Sequence, residues 1–334
     1  MAKNIKGQVV KKLSLTIAKG LCILLLGAIV ILTIVIGFFQ TSAYFRESLS
    51  YTEYDGAYIL AEDLTLHIHE RGKQHKQTVL FVHGLGSWGK IWDKTTARLE
   101  EEGFHTIAVD MPPFGFSEKP IGFSFSTQDQ VKRLTRLIET LGLEDIVLVG
   151  HSFAGEVTIE TARSNQDKIK TLVLVDTGID LPASPPPTIN SFNIINNSFF
   201  RNSLTTILTH PWFTKSLLTR FIYDKNDATP EVVHMLQEQF KVRGTSKALD
   251  NLLYSLSLSH TPRDTNYTEL TFPTFIIWGE RDTTTPLVQG QYLRTLFPNS
   301  KLIVMPEIGH IPQIEDNEAF NDVLLNLIPS PEDD

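Results

Sequence analysis

A rhythm constrains this chain more than any single motif. Short runs of consecutive apolar residues recur at 78–82, 106–109, 146–149, 171–175, 274–278 and 302–305, and stretches with helical spacing such as 91–102, 127–141 and 153–163 separate most of them. A strand with one wet face alternates apolar and polar residues; these runs do not, so both faces of each strand must be covered. Covered strands alternating with helices predict a mostly parallel sheet with helices on both faces. Residues 58–69 precede the pattern and read as a hairpin turning at Glu62 and Asp63. In such sheets ligands bind beyond the carboxyl ends of the strands, which is where chemistry is expected.

The rhythm breaks once, over residues 178–270. A proline-rich stretch at 182–187 opens this segment, and helix-like sequence carrying Phe192, Phe199, Phe200, Trp212, Phe213, Phe221 and Tyr223 follows. A helical cap inserted over the strand ends is the simplest account, with most of its aromatics expected to pack the cap's own core.

Residues 20–39 contain no charged side chain. Twenty helical residues rise about 30 Å, the thickness of a bilayer core. Lys3, Lys6, Lys11, Lys12 and Lys19 precede the stretch, and Arg46 is the first basic residue after it. That asymmetry predicts a cytoplasmic N-terminus and everything after residue 40 outside. A cleaved signal peptide, with a processing site at 41–43, is the rival; the apolar core exceeds the roughly 7–15 residues such peptides use, so an uncleaved anchor is expected. The predicted organisation is a basic segment at 1–19, an anchor at 20–39, a linker at 40–54, a core at 55–177 and 271–334, and the cap at 178–270. A net charge of −8 argues against nucleic acid as the main partner. The only cysteine, Cys22, lies in the apolar stretch, so the folded part has no disulfide framework, thiolate metal site or cysteine nucleophile.

Residues 148–155 read L-V-G-H-S-F-A-G and place Ser152 at the corner between a strand and a helix. So sharp a turn requires small residues two before and two after the serine, and Gly150 and Ala154 meet that requirement. A serine nucleophile needs a base, and the chain has ten histidines. His151 points away from its neighbour and reads as a packing or orienting residue. His67 and His69 share a strand face but lack evident partners for a metal. His83 belongs with the loop Gly84-Leu85-Gly86, and His75, His105, His210, His234 and His260 read as ordinary exposed histidines. His310, in M-P-E-I-G-H, follows the last strand at the carboxyl edge. Asp282, in W-G-E-R-D, supplies an acid at the end of the preceding strand; Asp176, in L-V-L-V-D-T-G, competes with it, and Asp110 is expected to fix a loop through hydrogen bonds.

Taken together, H-G-L-G at 83–86, D-M-P-P-F-G-F-S at 110–117, G-H-S-F-A-G at 150–155, G-E-R-D at 279–282 and Gly309-His310 resemble the α/β-hydrolase fold superfamily over about residues 55–330. The look is closest to cap-bearing serine esterases and lipases, including membrane-anchored monoacylglycerol lipase-like members. The resemblance implies an eight-stranded, mostly parallel sheet and acyl transfer without a cofactor. In that scheme Ser152 attacks a carbonyl, His310 takes its proton, Asp282 steadies the imidazolium, and the backbone N–H groups of Leu85 and Phe153 hold the oxyanion. It further implies a small ester or lipid-like substrate, with carbon–carbon hydrolysis of a diketone-like compound or a non-catalytic binding domain as alternatives. Ala154 and Pro113 stand where the family has glycine. Because Ser152 is not an aspartate, the chemistry of the dehalogenase and epoxide hydrolase branches does not carry over.

Overall fold

The computed structural model describes residues 2–178, 197–258 and 266–331, with side chains from residue 16 onward except at 257 and 258. The proline-rich 182–187, Phe192 and His260 lie outside the described residues. Eight strands form one sheet: β1 (Ala57–Ala61), β2 (Leu64–Arg71), β3 (Thr78–Val82), β4 (His105–Val109), β5 (Ile146–His151), β6 (Ile169–Val175), β7 (Thr274–Gly279) and β8 (Ser300–Met305), in the order β1-β2-β4-β3-β5-β6-β7-β8. Pairs β1–β2 and β2–β4 are antiparallel and the rest parallel.

Successive residues of the central strands enter two different cores. Leu80, Val82, Leu148, Leu172, Leu174 and Ile276 face one side with α3 (Thr127–Leu141) and α4 (Gly155–Ser164). Val79, Phe81, Val147, Val149, Val173, Val175 and Ile277 face the other, with α2 (Asp93–Glu101) and the C-terminal helix Asn317–Leu325. This double covering is why the runs are continuously apolar, each buried branched side chain contributing about 1.5–3 kcal/mol. Local signals set helix ends: Ser126 caps α3 by accepting from the N–H of Asp129, and Gly142 ends it at φ 62°.

Between β6 and β7 the described residues 197–258 are mostly helical: α5 (Ser198–Leu208), α6 (Pro211–Phe221), α7 (Pro230–Glu238) and α8 (Thr245–Leu258). Its aromatics correct an expectation. Trp212 is 70% exposed, and Phe199, Phe200, Phe221 and Tyr223 are also exposed rather than packed into a core of their own.

Helix α1 runs without interruption over Ala2–Arg46, so residues 40–46, expected to begin a linker, are helical. No Gly or Pro lies between Phe39 and Arg46 to stop it. Its last turns are held: Ile36, Phe39 and Ala43 are buried, Arg46 donates to the Thr209 hydroxyl and the Phe240 carbonyl, and the Glu47 carboxylate accepts from the N–H groups of Gly244 and Ser246. Leu49 then pairs with Val242 as an isolated bridge.

Candidate active site

Register aligns the strand ends. Gly150 pairs with Val82 and Leu174, His151 with Val175, and Val175 with Ile277, so the loops leaving β3, β5, β6 and β7 emerge side by side. Ser152 leaves β5 with φ 53°, a left-handed conformation that a non-glycine residue adopts only when its surroundings enforce it. The enforcement is visible in the neighbouring glycines. A Cβ on Gly150 would lie 2.1 Å from the Thr158 hydroxyl, one on Gly155 1.8 Å from the Thr177 methyl, and one on Gly84 2.9 Å from Cβ of Ser152. On the helix side of the serine, the position that cannot take a methyl is therefore Gly155, one residue after the Ala154 that departs from the family pattern.

The Ser152 hydroxyl lies 2.7 Å from Nε2 of His310, whose Nδ1 lies 2.7 Å from Oδ2 of Asp282. His310 and Asp282 are buried while Ser152 is part-exposed, so the line of three runs from the interior to an accessible hydroxyl. Gly279 permits the approach of β7 to the loop of His310: a Cβ there would sit 1.9 Å from the Gly309 carbonyl. Burial alone would raise the Asp282 carboxyl, but the hydrogen bond and charge of His310, with the Thr285 hydroxyl and N–H, outweigh it and hold the group below its ordinary range.

Asp176 follows β6 next to Asp282 but does not bond His310; one of its oxygens accepts from the Gly279 N–H, and the other has no hydrogen-bond partner among the described residues. Burial, reinforced by the Asp282 charge, pushes this carboxyl well above its ordinary value. His151 is likewise buried and driven down to about 3, by desolvation first and the neighbouring His310 second. It is therefore neutral, and its Nε2 donates to the His310 carbonyl at 2.8 Å.

Two supporting residues escaped the reading of the sequence. The Thr285 hydroxyl reaches Oδ2 of Asp282 at 2.5 Å and the Asp176 carbonyl at 3.1 Å, tying the two acids together. The Glu315 carboxylate accepts from the N–H groups of Gly309, Ile311 and Tyr223, clamping the His310 loop to the helical segment, where the Phe221 carbonyl also receives the His310 N–H. Thr285, three residues beyond Asp282, and Glu315, five beyond His310, carry no signal in sequence beyond that proximity.

Of the remaining candidates, Leu85 follows the glycine that touches Ser152, and Phe153 is the second residue of the 3-10 turn Ser152–Ala154, whose first N–H groups have no partner within the turn. His83 stays in its own loop, accepting from the Met111 N–H at 2.9 Å. His105 and His210, expected exposed, are buried: His105 meets the Glu70 carboxylate at 2.9 Å, and His210 accepts from the Trp212 N–H at the start of α6. His67 and His69 do have a partner, Asp110, at 2.8 and 3.4 Å. The fold supplies it by pairing β2 with β4.

The chain is similar to known proteins. The family profile described as alpha/beta hydrolase fold matches residues 77–317. A 2-hydroxy-6-oxononadienedioate/2-hydroxy-6-oxononatrienedioate hydrolase of Pseudomonas putida is 28% identical over 276 residues, covering 80% of this chain and 92% of the relative. Lipase 3 of a Moraxella species is 26% identical over 258 residues, covering 74% and 78%. The crystal structure of a membrane phospholipase A superposes with a TM-score of 0.69 at 20% identity, covering 94% of this chain and 98% of that one. With more than half of its length matched by the family profile and its sheet and strand-end loops arranged as described, the chain belongs to the alpha/beta hydrolase fold family and is a hydrolase.

Proposed function

We propose that the protein is a membrane-anchored serine ester hydrolase acting on apolar, lipid-like or medium-chain esters. The observation that carries the chemistry is the unbroken line Ser152–His310–Asp282 with both links at 2.7 Å. His310 takes the hydroxyl proton as Ser152 attacks the carbonyl, and Asp282, kept ionised by the contacts above, stabilises the resulting imidazolium. The N–H groups of Leu85 and Phe153 receive the oxyanion, the alcohol leaves with the proton from His310, and water activated by the same histidine releases the acid. Labelling of Ser152 by a fluorophosphonate, with turnover of p-nitrophenyl esters, tests this reading; an unlabelled serine removes it.

Carbon–carbon hydrolysis is the second reading, favoured by the named activity of the Pseudomonas putida relative. Cleavage of a diketone-like compound in the absence of ester turnover would select it.

The anchor part of the proposal draws on α1. Cleavage after Ala43 would strip Ile36, Phe39 and Ala43 from the surface they cover, so the helix reads as a structural piece of the mature protein. The five lysines in its N-terminal part, ahead of the charge-free stretch, support a cytoplasmic N-terminus with the hydrolase on the other side. Intact mass of the purified chain decides between anchor and cleaved signal, and protease added to intact cells decides the side.

A further inference from the structure

Helix α5 is built the wrong way round for a helix in water. Its buried face carries Ser203, Thr205 and Thr206, with Thr209 just beyond its end, and each hydroxyl donates to a carbonyl three or four residues earlier: Phe199, Asn202, Ser203 and Thr205. Turning the hydroxyls onto their own backbone lets that face be buried against the rest of the protein. The outward face carries Phe200, Leu204 and Leu208, spaced by four, and Trp212 continues the line into α6; they are 43%, 40%, 39% and 70% exposed. A polar inner face with an apolar outer stripe marks a surface meant for something other than water.

The place where the stripe ends identifies what that is. The Trp212 ring stacks on Phe38 at 5.7 Å between centroids, and Phe39 packs against His210, Trp212 and Phe213. Phe38 and Phe39 end the expected anchor at 20–39, whose large apolar side chains from Leu21 to Val35 are exposed. The Arg46 and Glu47 contacts splint α1 to this segment, so the level of the stripe is set by the level of the helix. Tryptophan and phenylalanine at the end of an apolar helix belong at the headgroup boundary of a bilayer.

We propose that the stripe Phe200, Leu204, Leu208 and Trp212 is a lipid-seating surface, lying in the headgroup–acyl boundary of the leaflet from which α1 emerges. This rests on the reading of α1 as an anchor and extends it: the helical segment that holds the His310 loop through Phe221 and Tyr223 is itself seated on the membrane. An ester of the same leaflet is then the substrate source closest to Ser152.

The chain carries its own probes. Of four tryptophans, Trp88, Trp92 and Trp278 are fully buried, so exposure of Trp emission to a quencher reports Trp212. The full chain is reconstituted in phosphatidylcholine–phosphatidylglycerol vesicles with and without phosphatidylcholine brominated on its acyl chains. Bromine should quench part of the emission, Trp212→Phe should abolish that loss, and aqueous iodide should quench little in either. Equal emission in both vesicles with Trp212 open to iodide overturns the proposal. So does protection from iodide that vanishes as protein is diluted in lipid, because a second copy then covers the stripe. Cys22, the single cysteine, separates the two readings. If the chain resists carbonate extraction and Cys22 resists a membrane-impermeant maleimide while bromine fails to quench, the stripe falls and the anchor stands; if the chain is extracted, both fall. A double variant Leu204→Glu/Leu208→Glu should lower the ratio of vesicle-ester to soluble-ester turnover several-fold, and an unchanged ratio speaks against the proposal.

Discussion

Two buried histidine–aspartate pairs among the described residues look alike on local geometry. His310 meets Asp282 at 2.7 Å and His67 meets Asp110 at 2.8 Å, each through Nδ1 and each buried. What differs is the far nitrogen. Nε2 of His310 faces the part-exposed Ser152 hydroxyl, whereas Nε2 of His67 is spent on the Asp55 carbonyl beneath the backbone of Gly56. The acids differ in the same sense. Asp110 accepts from the backbone N–H groups of Gly89 and Phe116, both at 2.7 Å, and leaves no room for a side chain on Gly115; it is a knot that closes two loops. Asp282 uses one oxygen on its own loop, at Thr284 and Thr285, and gives the other to His310 and Thr285. A histidine–carboxylate pair is thus a structural tie or a proton relay according to whether its free end reaches an open nucleophile.

The most drastic way to break this comparison is to remove the nucleophile. Ser152→Ala should reduce turnover by about a millionfold with thermal stability retained. Steady-state rates on a p-nitrophenyl ester, with Tm measured alongside, decide it; more than a few per cent residual activity takes Ser152 out of the mechanism.

Exchanging the acids comes next. Asp282→Asn should cost on the order of 10⁴ in kcat through loss of histidine orientation. Asp110→Asn should instead cost about 3 kcal/mol of stability, since a buried charge network loses its centre, and leave kcat per folded molecule near that of the parent. Asp176→Asn should fall far short of Asp282→Asn in kcat. Urea titrations and kcat on the three variants suffice, and the reverse ranking of Asp282 and Asp176 would move the acid to β6.

Thr285→Val tests the joint between the acids. Losing one buried hydroxyl to a carboxylate costs about 1.5 kcal/mol, or about tenfold in kcat. Rescue by Thr285→Ser would show that the hydroxyl, not the volume, is required.

The smallest effect lies in pH. The folded protein keeps His151 neutral down to about pH 3, whereas the unfolded chain takes up that proton near pH 6.5. Between those values the unfolded state binds more protons, so this contribution is complete above about pH 6.5 and is lost as pH falls towards 3. Asp110 behaves differently: burial opposes its charge, but His69 and His67 outweigh burial and hold it well below its ordinary value, so its contribution persists until pH falls below about 4. Tm measured from pH 7 to 5 should therefore fall less steeply in His151→Gln than in the parent and equally in Asp110→Asn. Parallel curves for His151→Gln would show that the histidine does not govern this window.

How much of this was legible in the chain depended on the range of the interaction involved. Ser152, Asp282 and His310 could be singled out because each follows closely on the end of a strand, and strand ends are local patterns of apolar runs and turn residues. The doubly covered sheet was legible for the same reason, since burial on both faces imprints itself on every residue of a run. The tie between His67 and Asp110 was not, because nothing within either motif reports that β2 will pair with β4. Nor was the burial of His105 and His210, or the clamp that Glu315 places on the His310 loop from outside it.

By itself, then, the sequence determined the alternating strands and helices, the charge-free helix and the corner that carries Ser152, all of which follow from periodicity and backbone sterics within a dozen residues. Tertiary structure alone decided which histidines become ties and which face of α5 turns outward. Those outcomes depend on distances between residues up to about two hundred positions apart, such as the Glu47 contact with Ser246, and side-chain pairing at that range is settled only when the chain has closed on itself.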